Sequence, residues 1–321
     1  MHLMIENHGV TIDVENEMFR LSLEGNTRKF SPVKIGSINI LSSCMVSTPA
    51  LRLAVRNQIP VLIFNSSGKV EAWIWSASYG SISTIRKHQA YFCDSEDGLQ
   101  WIREILRLKT THQVNNLKWL TERKKRFHDQ LTASIGRMEA ISLSLADASV
   151  QSIRGYEGSI SKEYWQIIAQ VLEKNIHFPG RVQRYVQDPV NAHLNYLYGI
   201  LYGVTEASLL MNGIDPYMGV LHRNEYNKKA MLYDYIEPFR PWADRLLIQL
   251  FISGKIIRDQ HYIQEETGIV KLTKEGKRQT IERFFSLMDE RMYLNNKRIK
   301  RIDHIHYYSR ELAQTLKNYR R

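Results

Sequence analysis

Cysteines and long apolar runs are scarce in this chain of 321 residues. The two cysteines, Cys44 and Cys93, do not lie in a paired ligand spacing, which excludes a disulfide scaffold and a thiolate zinc site. The apolar segments are short, such as Val61–Phe64, and none approaches the roughly 18 residues that a membrane helix needs. The first residues lack the basic-then-apolar layout of a signal peptide. We therefore expect a cytoplasmic protein with no membrane association.

Acidic side chains are in the minority, with 33 Asp and Glu against 44 Lys and Arg, for a net charge of +11. Residues 1–97 carry nine of each sign, so the whole excess lies in residues 98–321. Excess Lys and Arg supply the salt-sensitive, sequence-independent part of nucleic-acid binding. Basic surfaces also serve solubility, so the charge distribution favours a polyanion partner without identifying it.

The first 75 residues show strand patterns, several alternating apolar and polar side chains with period two. These segments are 9–14, 18–23, 35–41, 60–64 and 69–75. A helix is predicted between them, with residues 48–50 as its cap and first turn and residues 51–57 as its body. Residues 76–97 are interpreted as a connection.

Helical periodicity dominates from Leu99 onward. Helices are predicted at about 162–175, 190–212, 229–239, 241–253 and 274–295, followed by a basic terminal helix and with a small hairpin in residues 263–273. The pattern predicts an α+β protein, with a small N-terminal β-rich domain (residues 1–90) followed by a larger all-α domain (residues 91–321).

Hard ligands are crowded into residues 222–241. His222 is followed by Asp234 and Glu237, whose i, i+3 spacing places both carboxylates on one helix face. Carboxylates with one imidazole suit Mg²⁺ or Mn²⁺ better than zinc. The simpler interpretation is a solvated helix face in which Glu237 pairs with Arg240. The prolines at 238 and 241 predict that this helix ends or bends near Glu237.

Four regions, in order along the chain, carry a resemblance to a known family. They are residues 46–51 with 59–64, residues 154–158 (Arg-Gly-Tyr-Glu-Gly) with 164–165, residues 188–192 continuing through Asn195, Tyr198 and Gly199, and residues 213–222 with 232–241. Together they resemble the Cas1 family of CRISPR-associated endonucleases and integrases, over nearly the whole chain.

The resemblance implies a site and a reaction. It places the metal ligands at Glu157, His222 and Glu237, with Asp234 as a further catalytic carboxylate that could orient a ligand or water. Many family members have Asp where this chain has Glu237, which keeps a carboxylate with a longer reach. In the implied reaction a 3′-hydroxyl of incoming DNA attacks a phosphodiester of the CRISPR repeat, so that a new spacer is inserted. Attack by water would give cleavage instead.

The resemblance also implies partners. The β-rich domain is expected to form a homodimer, and copies are expected to be bridged by a small second protein, Cas2.

Two other interpretations of the function stay open. One is a metal-dependent nuclease or phosphodiesterase without integration, and the other is a non-catalytic DNA-binding scaffold whose carboxylates only pair with arginines. Candidate phosphate contacts include residues 123–126, Arg181 and Arg184.

Helix 190–212 is expected to contribute to the same cavity. Asn191, Asn195 and Tyr198 share one of its faces. Tyr198 is interpreted as a positioning or packing residue, not as a nucleophile.

Overall fold

A computed structural model describes residues 1–320 apart from 67, 77–81, 173–175, 177, 223–227, 257–260, 265–266 and 295. Within these residues, no helix combines the length and the apolar character needed to cross a membrane. The segment that links His222 to the following helix, residues 223–227, lies outside the described part, as does part of the predicted hairpin.

Two four-stranded sheets and one helix make up the N-terminal region. Its elements are β1 (His2–Ile5), β2 (Val10–Glu15), β3 (Met18–Leu23), β4 (Asn26–Phe30), β5 (Ser37–Ile40), β6 (Cys44–Val46), α1 (Thr48–Arg56), β7 (Val61–Phe64) and β8 (Val70–Ile74). One sheet has the order β1-β5-β7-β8 and the other β4-β3-β2-β6, and both mix parallel with antiparallel pairs.

All five predicted strand segments form strands, whereas β1, β4 and β6 were missed. Strand β4 is polar and exposed along nearly its whole length, so it carries no apolar alternation to detect. Strand β6 has three residues, too few to show a period. Helix α1 was predicted with a cap one residue too late: Ser47 is the cap, and its side chain accepts from the Ala50 N–H at 3.2 Å.

Helices dominate the rest of the chain, which confirms the α+β class. They are α2 (Ile82–Cys93), α3 (Glu96–Arg123), α4 (His128–Ser144), α5 (Val150–Val171), α6 (Pro189–Met211), α7 (Ala230–Ile236), α8 (Arg240–Ile252), α9 (Lys274–Asp289) and α10 (Arg301–Asn318). Two hairpins interrupt them, β9 (His261–Gln264) with β10 (Ile269–Leu272), and β11 (Arg291–Leu294) with β12 (Lys297–Lys300).

Three predicted boundaries were wrong. The connection 76–97 contains α2, the helix predicted from 162 begins at Val150, and the helix predicted to 295 ends at Asp289, where β11 follows. The second error concerns a segment with two glycines, Gly155 and Gly158, which lie before the predicted start and inside α5. Each glycine costs a helix only about 1 kcal/mol, which the burial of Ile153 and Ile160 on the same helix outweighs.

The packing of α3 positions the site. Asn116 on this helix donates to the Tyr164 hydroxyl on α5 at 2.9 Å and to the Pro241 carbonyl at 2.7 Å. The His112 Nδ1–H donates to the Pro238 carbonyl at 2.6 Å. Helix α3 therefore holds both α5 and the turn between α7 and α8. As predicted, α7 ends before that turn, at Ile236.

Candidate active site

Three elements bring oppositely charged side chains to one point. Lys109 projects from α3, Glu157 from α5, and Glu237 begins the 3₁₀ turn Glu237–Phe239. The Lys109 ammonium donates to Glu157 Oε1 and lies 2.6 Å from Glu237 Oε2. Ser161, one turn after Glu157, donates to Glu157 Oε1 at 2.8 Å. Two of the predicted metal ligands therefore meet, and the cation between them is a lysine that the sequence analysis missed.

Burial makes this cluster electrostatically strong. The side chains of Lys109 and Glu237 are 7% and 6% exposed, while that of Glu157 is 31% exposed. Burial alone would lower the pKa of Lys109, but Glu237 and Glu157 outweigh it and raise this pKa. Burial alone would raise the pKa of Glu237, but Arg240, 3.1 Å away, and Lys109 hold this pKa below its ordinary value. Lys109 and Glu237 therefore stay charged at neutral pH.

His222 is held by Asp234. Its Nδ1 lies 2.7 Å from Asp234 Oδ1, so Nδ1 carries a proton, and in the neutral imidazole Nε2 is the nitrogen with the free lone pair. The carboxylate of Asp234 also accepts the backbone N–H groups of Val220 at 2.7 Å and Leu221 at 2.9 Å. Asp234 is fully buried, whereas the His222 side chain is 43% exposed. Asp234 thus orients the imidazole and the loop that carries it.

The donors fit a hard divalent cation, with a rearrangement. A cation, the Lys109 ammonium, already lies between the carboxylates of Glu157 and Glu237. Glu237 Oε2 is buried and lies 2.6 Å from the Lys109 ammonium. No three His, Cys, Asp or Glu side chains among the described residues lie close enough to hold an ion as they stand. Binding of one ion by Glu157, His222 and Glu237 together therefore requires Lys109 to withdraw and the three side chains to move closer to one point.

A cavity of about 980 Å³ opens over the cluster. Its described lining includes Glu157, His222 and Glu237 together with seven cationic side chains: Lys109, Arg154, Lys162, Arg181, Arg184, Lys228 and Arg240. A concave surface with this charge excess attracts polyanions and offers donors to phosphate oxygens. Arg181 and Arg184, predicted as phosphate contacts, both line it.

The predicted polar face of α6 holds Arg181 at the cavity wall. Arg181 donates to Asn191 Oδ1 at 3.1 Å and to Asn195 Oδ1 at 2.7 Å. Its guanidinium also lies over the Tyr198 ring, 5.3 Å from the centroid, and that of Arg240 lies 5.4 Å from the same centroid. The three α6 residues therefore position cations in the cavity.

Asp244 is a further buried carboxylate at the cavity wall that sequence reasoning missed. The Tyr198 hydroxyl donates to its Oδ1 at 2.6 Å. Burial raises the pKa of Asp244 to about 7, against the opposing effects of the Tyr198 hydrogen bond and of Arg181. The only sequence cue was its place four residues after Arg240, on the same face of α8.

Asp244 should make the stability depend on pH. Its pKa is about 7 in the folded protein against an ordinary 3.8, so the folded state binds more protons than the unfolded state between these values. The free energy of unfolding should therefore fall as pH rises through this window, by up to about 4 kcal/mol. Asp244→Asn should remove this fall while still accepting from Tyr198. Urea unfolding of both proteins between pH 4 and 8 measures the difference, and parallel stability curves would contradict the assignment.

Comparison with known proteins places the chain in a family. Residues 3–285 match the family described as CRISPR associated protein Cas1. A CRISPR-associated endonuclease Cas1 of Archaeoglobus fulgidus is 23% identical over 340 aligned positions, covering 100% of this chain and 98% of that protein.

Two solved structures share the fold. A casposase bound to an integration product has a TM-score of 0.82 at 22% identity, covering 98% of this chain and 90% of that one. A chain of a Cas6-RT-Cas1–Cas2 complex has a TM-score of 0.74 at 21% identity, covering 99% of this chain and 35% of that one. The match of residues 3–285 to the family described above covers most of the chain and shows that the chain belongs to the Cas1 family.

Proposed function

We propose that this protein is a metal-dependent DNA endonuclease and integrase that inserts new spacers into CRISPR arrays. The observation that carries the proposal is the convergence of Glu157 and Glu237, from separate elements, on one cation inside a cavity lined by further cations. Metal-dependent phosphodiester chemistry requires carboxylates that bind a cation and a surface that binds phosphate, and this cavity has both.

Each residue has a role in this proposal. Glu157, His222 and Glu237 would hold Mg²⁺ or Mn²⁺, which when bound would activate the attacking hydroxyl and neutralise charge on the phosphate. Asp234 keeps the proton on Nδ1 of His222, so that Nε2 faces outward as a ligand. The exposed side chain of Arg184, on the cavity lining, would bind the DNA backbone beside the reacting phosphate.

Joining and cleavage differ in the attacking group, a 3′-hydroxyl or water. A casposase of the same fold is bound to an integration product, which favours joining. A spacer has two ends to join, and the described part of each chain holds one such site, so we propose a homodimer through the β-rich domain. The Cas2-containing complex with a chain of this fold favours Cas2 as the bridging partner.

A strand-transfer assay tests the proposal. It combines a short duplex with free 3′-hydroxyls, a supercoiled plasmid carrying a CRISPR repeat, Mn²⁺ or Mg²⁺, and Cas2. In His222→Ala the joined product should fall by at least about 100-fold. Loss of a residue that only supports a metal ligand already lowers activity by about 10- to 100-fold, and loss of the ligand itself should lower it further. His128→Ala is the matched control, because His128 is 60% exposed and belongs to the start of α4.

The other outcomes discriminate between the alternatives. Metal-dependent nicking without joining, lost in His222→Ala, would favour a nuclease without integration. If the wild type neither joins nor nicks DNA, and it binds DNA as well as His222→Ala and His128→Ala do, the non-catalytic scaffold would be favoured.

A further inference from the structure

We infer that Lys109 is an internal competitor for the divalent ion, holding Glu157 and Glu237 together until the ion displaces its ammonium. The inference rests on the proposed function, because it concerns the same carboxylates. It assigns a role to a residue that the sequence pattern marks only as one position of a long amphipathic helix. Three features of the described contacts carry it.

The first feature is the position of the ammonium. Lys109 Nζ contacts Glu157 and Glu237, and it donates to Ser161 Oγ at 3.3 Å. A divalent ion bound by both carboxylates would lie about 2.0–2.6 Å from their oxygens and so would take nearly the same point. Two cations cannot share that point, so the ion and the ammonium must exclude each other.

The second feature is the unequal hold on the ammonium. The ammonium donates to Glu157 Oε1 and to Ser161 Oγ, both on α5, whereas its contact with Glu237 is a single ion pair of 2.6 Å to Oε2. The other oxygen of Glu237 pairs with Arg240 at 3.1 Å. Glu237 is therefore fixed on one side by Arg240, and on the other its Oε2 presents an acceptor that a smaller, doubly charged ion would satisfy better.

The third feature is the room for withdrawal. Leu106 and Gln113, one turn before and one turn after Lys109 on α3, line the same cavity. The flexible stem of Lys109 can therefore turn its ammonium from the carboxylates into solvent within the cavity, without movement of the helix. Once there, the ammonium can meet phosphate oxygens.

Charge balance explains why such an arrangement is useful. Lys109 and Arg240 offset Glu157 and Glu237, so the buried cluster is neutral before an ion binds. Binding of a divalent ion leaves the cluster with excess positive charge, which the phosphates of DNA would offset. Displacement of Lys109 therefore couples tight ion binding to the presence of substrate.

Mn²⁺ binding, measured as the loss of the free-ion EPR signal during titration, tests the inference. Lys109→Met should bind Mn²⁺ at least about tenfold more tightly than the wild type, because a positive charge beside the ion is removed. Lys162→Met is the matched control: it loses the same charge from an exposed position on the cavity lining and should change the affinity less than twofold.

Glu237→Gln separates this inference from the proposed function. If wild-type binding is lost in Glu237→Gln but Lys109→Met binds no more tightly than the wild type, the role of Lys109 is overturned and the metal site stands. If Glu237→Gln binds Mn²⁺ as the wild type does, the metal site itself is overturned, and the inference with it.

A second measurement uses the wild-type protein, so it does not depend on the folding of a variant. Saturating Mn²⁺ should raise the rate at which an amine-acetylating reagent modifies Lys109 several-fold, as read by mass spectrometry of peptides, because the ammonium leaves its ion pairs. The rate at Lys162 should stay constant. An unchanged rate at Lys109, with Mn²⁺ bound, would overturn the inference.

Discussion

Glu237→Ala is expected to lower the free energy of unfolding by about 3–5 kcal/mol and to abolish strand joining. The carboxylate of Glu237 is shared by Lys109 and Arg240, whose side chains are 7% and 19% exposed. Removing it leaves two buried cations with one partner fewer, and a buried charge without its counter-ion is among the costliest defects that a single substitution makes. Urea unfolding in EDTA measures the stability, and the strand-transfer assay measures the activity.

Glu157→Ala provides the matched comparison. Glu157 is bound by the same ammonium, but its side chain is 31% exposed, so water can replace part of what it loses. We expect an equal loss of joining with less than half of the stability loss. Equal destabilisation by the two substitutions would show that the burial of Glu237 does not determine the loss in the free energy of unfolding.

Part of the site was predictable because two of its residues carry a local pattern. Asp234 and Glu237 form an i, i+3 carboxylate pair beside Pro238 and Pro241, and the turn that these prolines predict begins at Glu237. The predicted pairing of Glu237 with Arg240 is present, at 3.1 Å, but the solvated helix face was wrong, because the side chains of Asp234 and Glu237 are buried. The ion pair and the predicted ligand role are compatible, because each uses a different oxygen of Glu237.

Lys109 could not be found in the same way. It lies 48 residues from Glu157 and is a polar residue on the buried side of α3. The sequence around it shows helical periodicity and nothing more, so its partners depend on how α3 packs against α5. Long-range pairing of this kind leaves no local spacing to detect. The same holds for Asp244, whose partner Tyr198 is 46 residues away.

Gly219→Ala is expected to lower the free energy of unfolding by about 3 kcal/mol and to reduce joining by about 100-fold, although Gly219 is not among the described residues that line the cavity. A Cβ at this position would lie 2.5 Å from the Ala230 carbonyl carbon and 2.7 Å from the Met231 nitrogen. Both atoms are backbone at the start of α7, so neither can turn aside as a side chain would. The chain around residue 219 must move instead.

That movement would reach the site through Asp234. The N–H groups of Val220 and Leu221 donate to its carboxylate at 2.7 and 2.9 Å, and the next residue is His222. A shift of this loop stretches these bonds and turns the imidazole away from the carboxylates. Displacements of about 1 Å are enough to cost about two orders of magnitude in rate.

Gly136→Ala separates this effect from the general cost of a methyl group. Gly136 lies within α4, and a Cβ there would meet nothing within 4 Å. The substitution should stabilise the protein by up to about 1 kcal/mol and leave joining unchanged, because alanine favours a helix over glycine. If the close approach at Gly219 holds the loop in place, urea unfolding gives stability changes of opposite sign for the two variants, and strand transfer falls in Gly219→Ala alone. A Gly219→Ala protein as stable and active as Gly136→Ala would mean that the loop tolerates displacement, and the orienting role of Asp234 would then have to be abandoned.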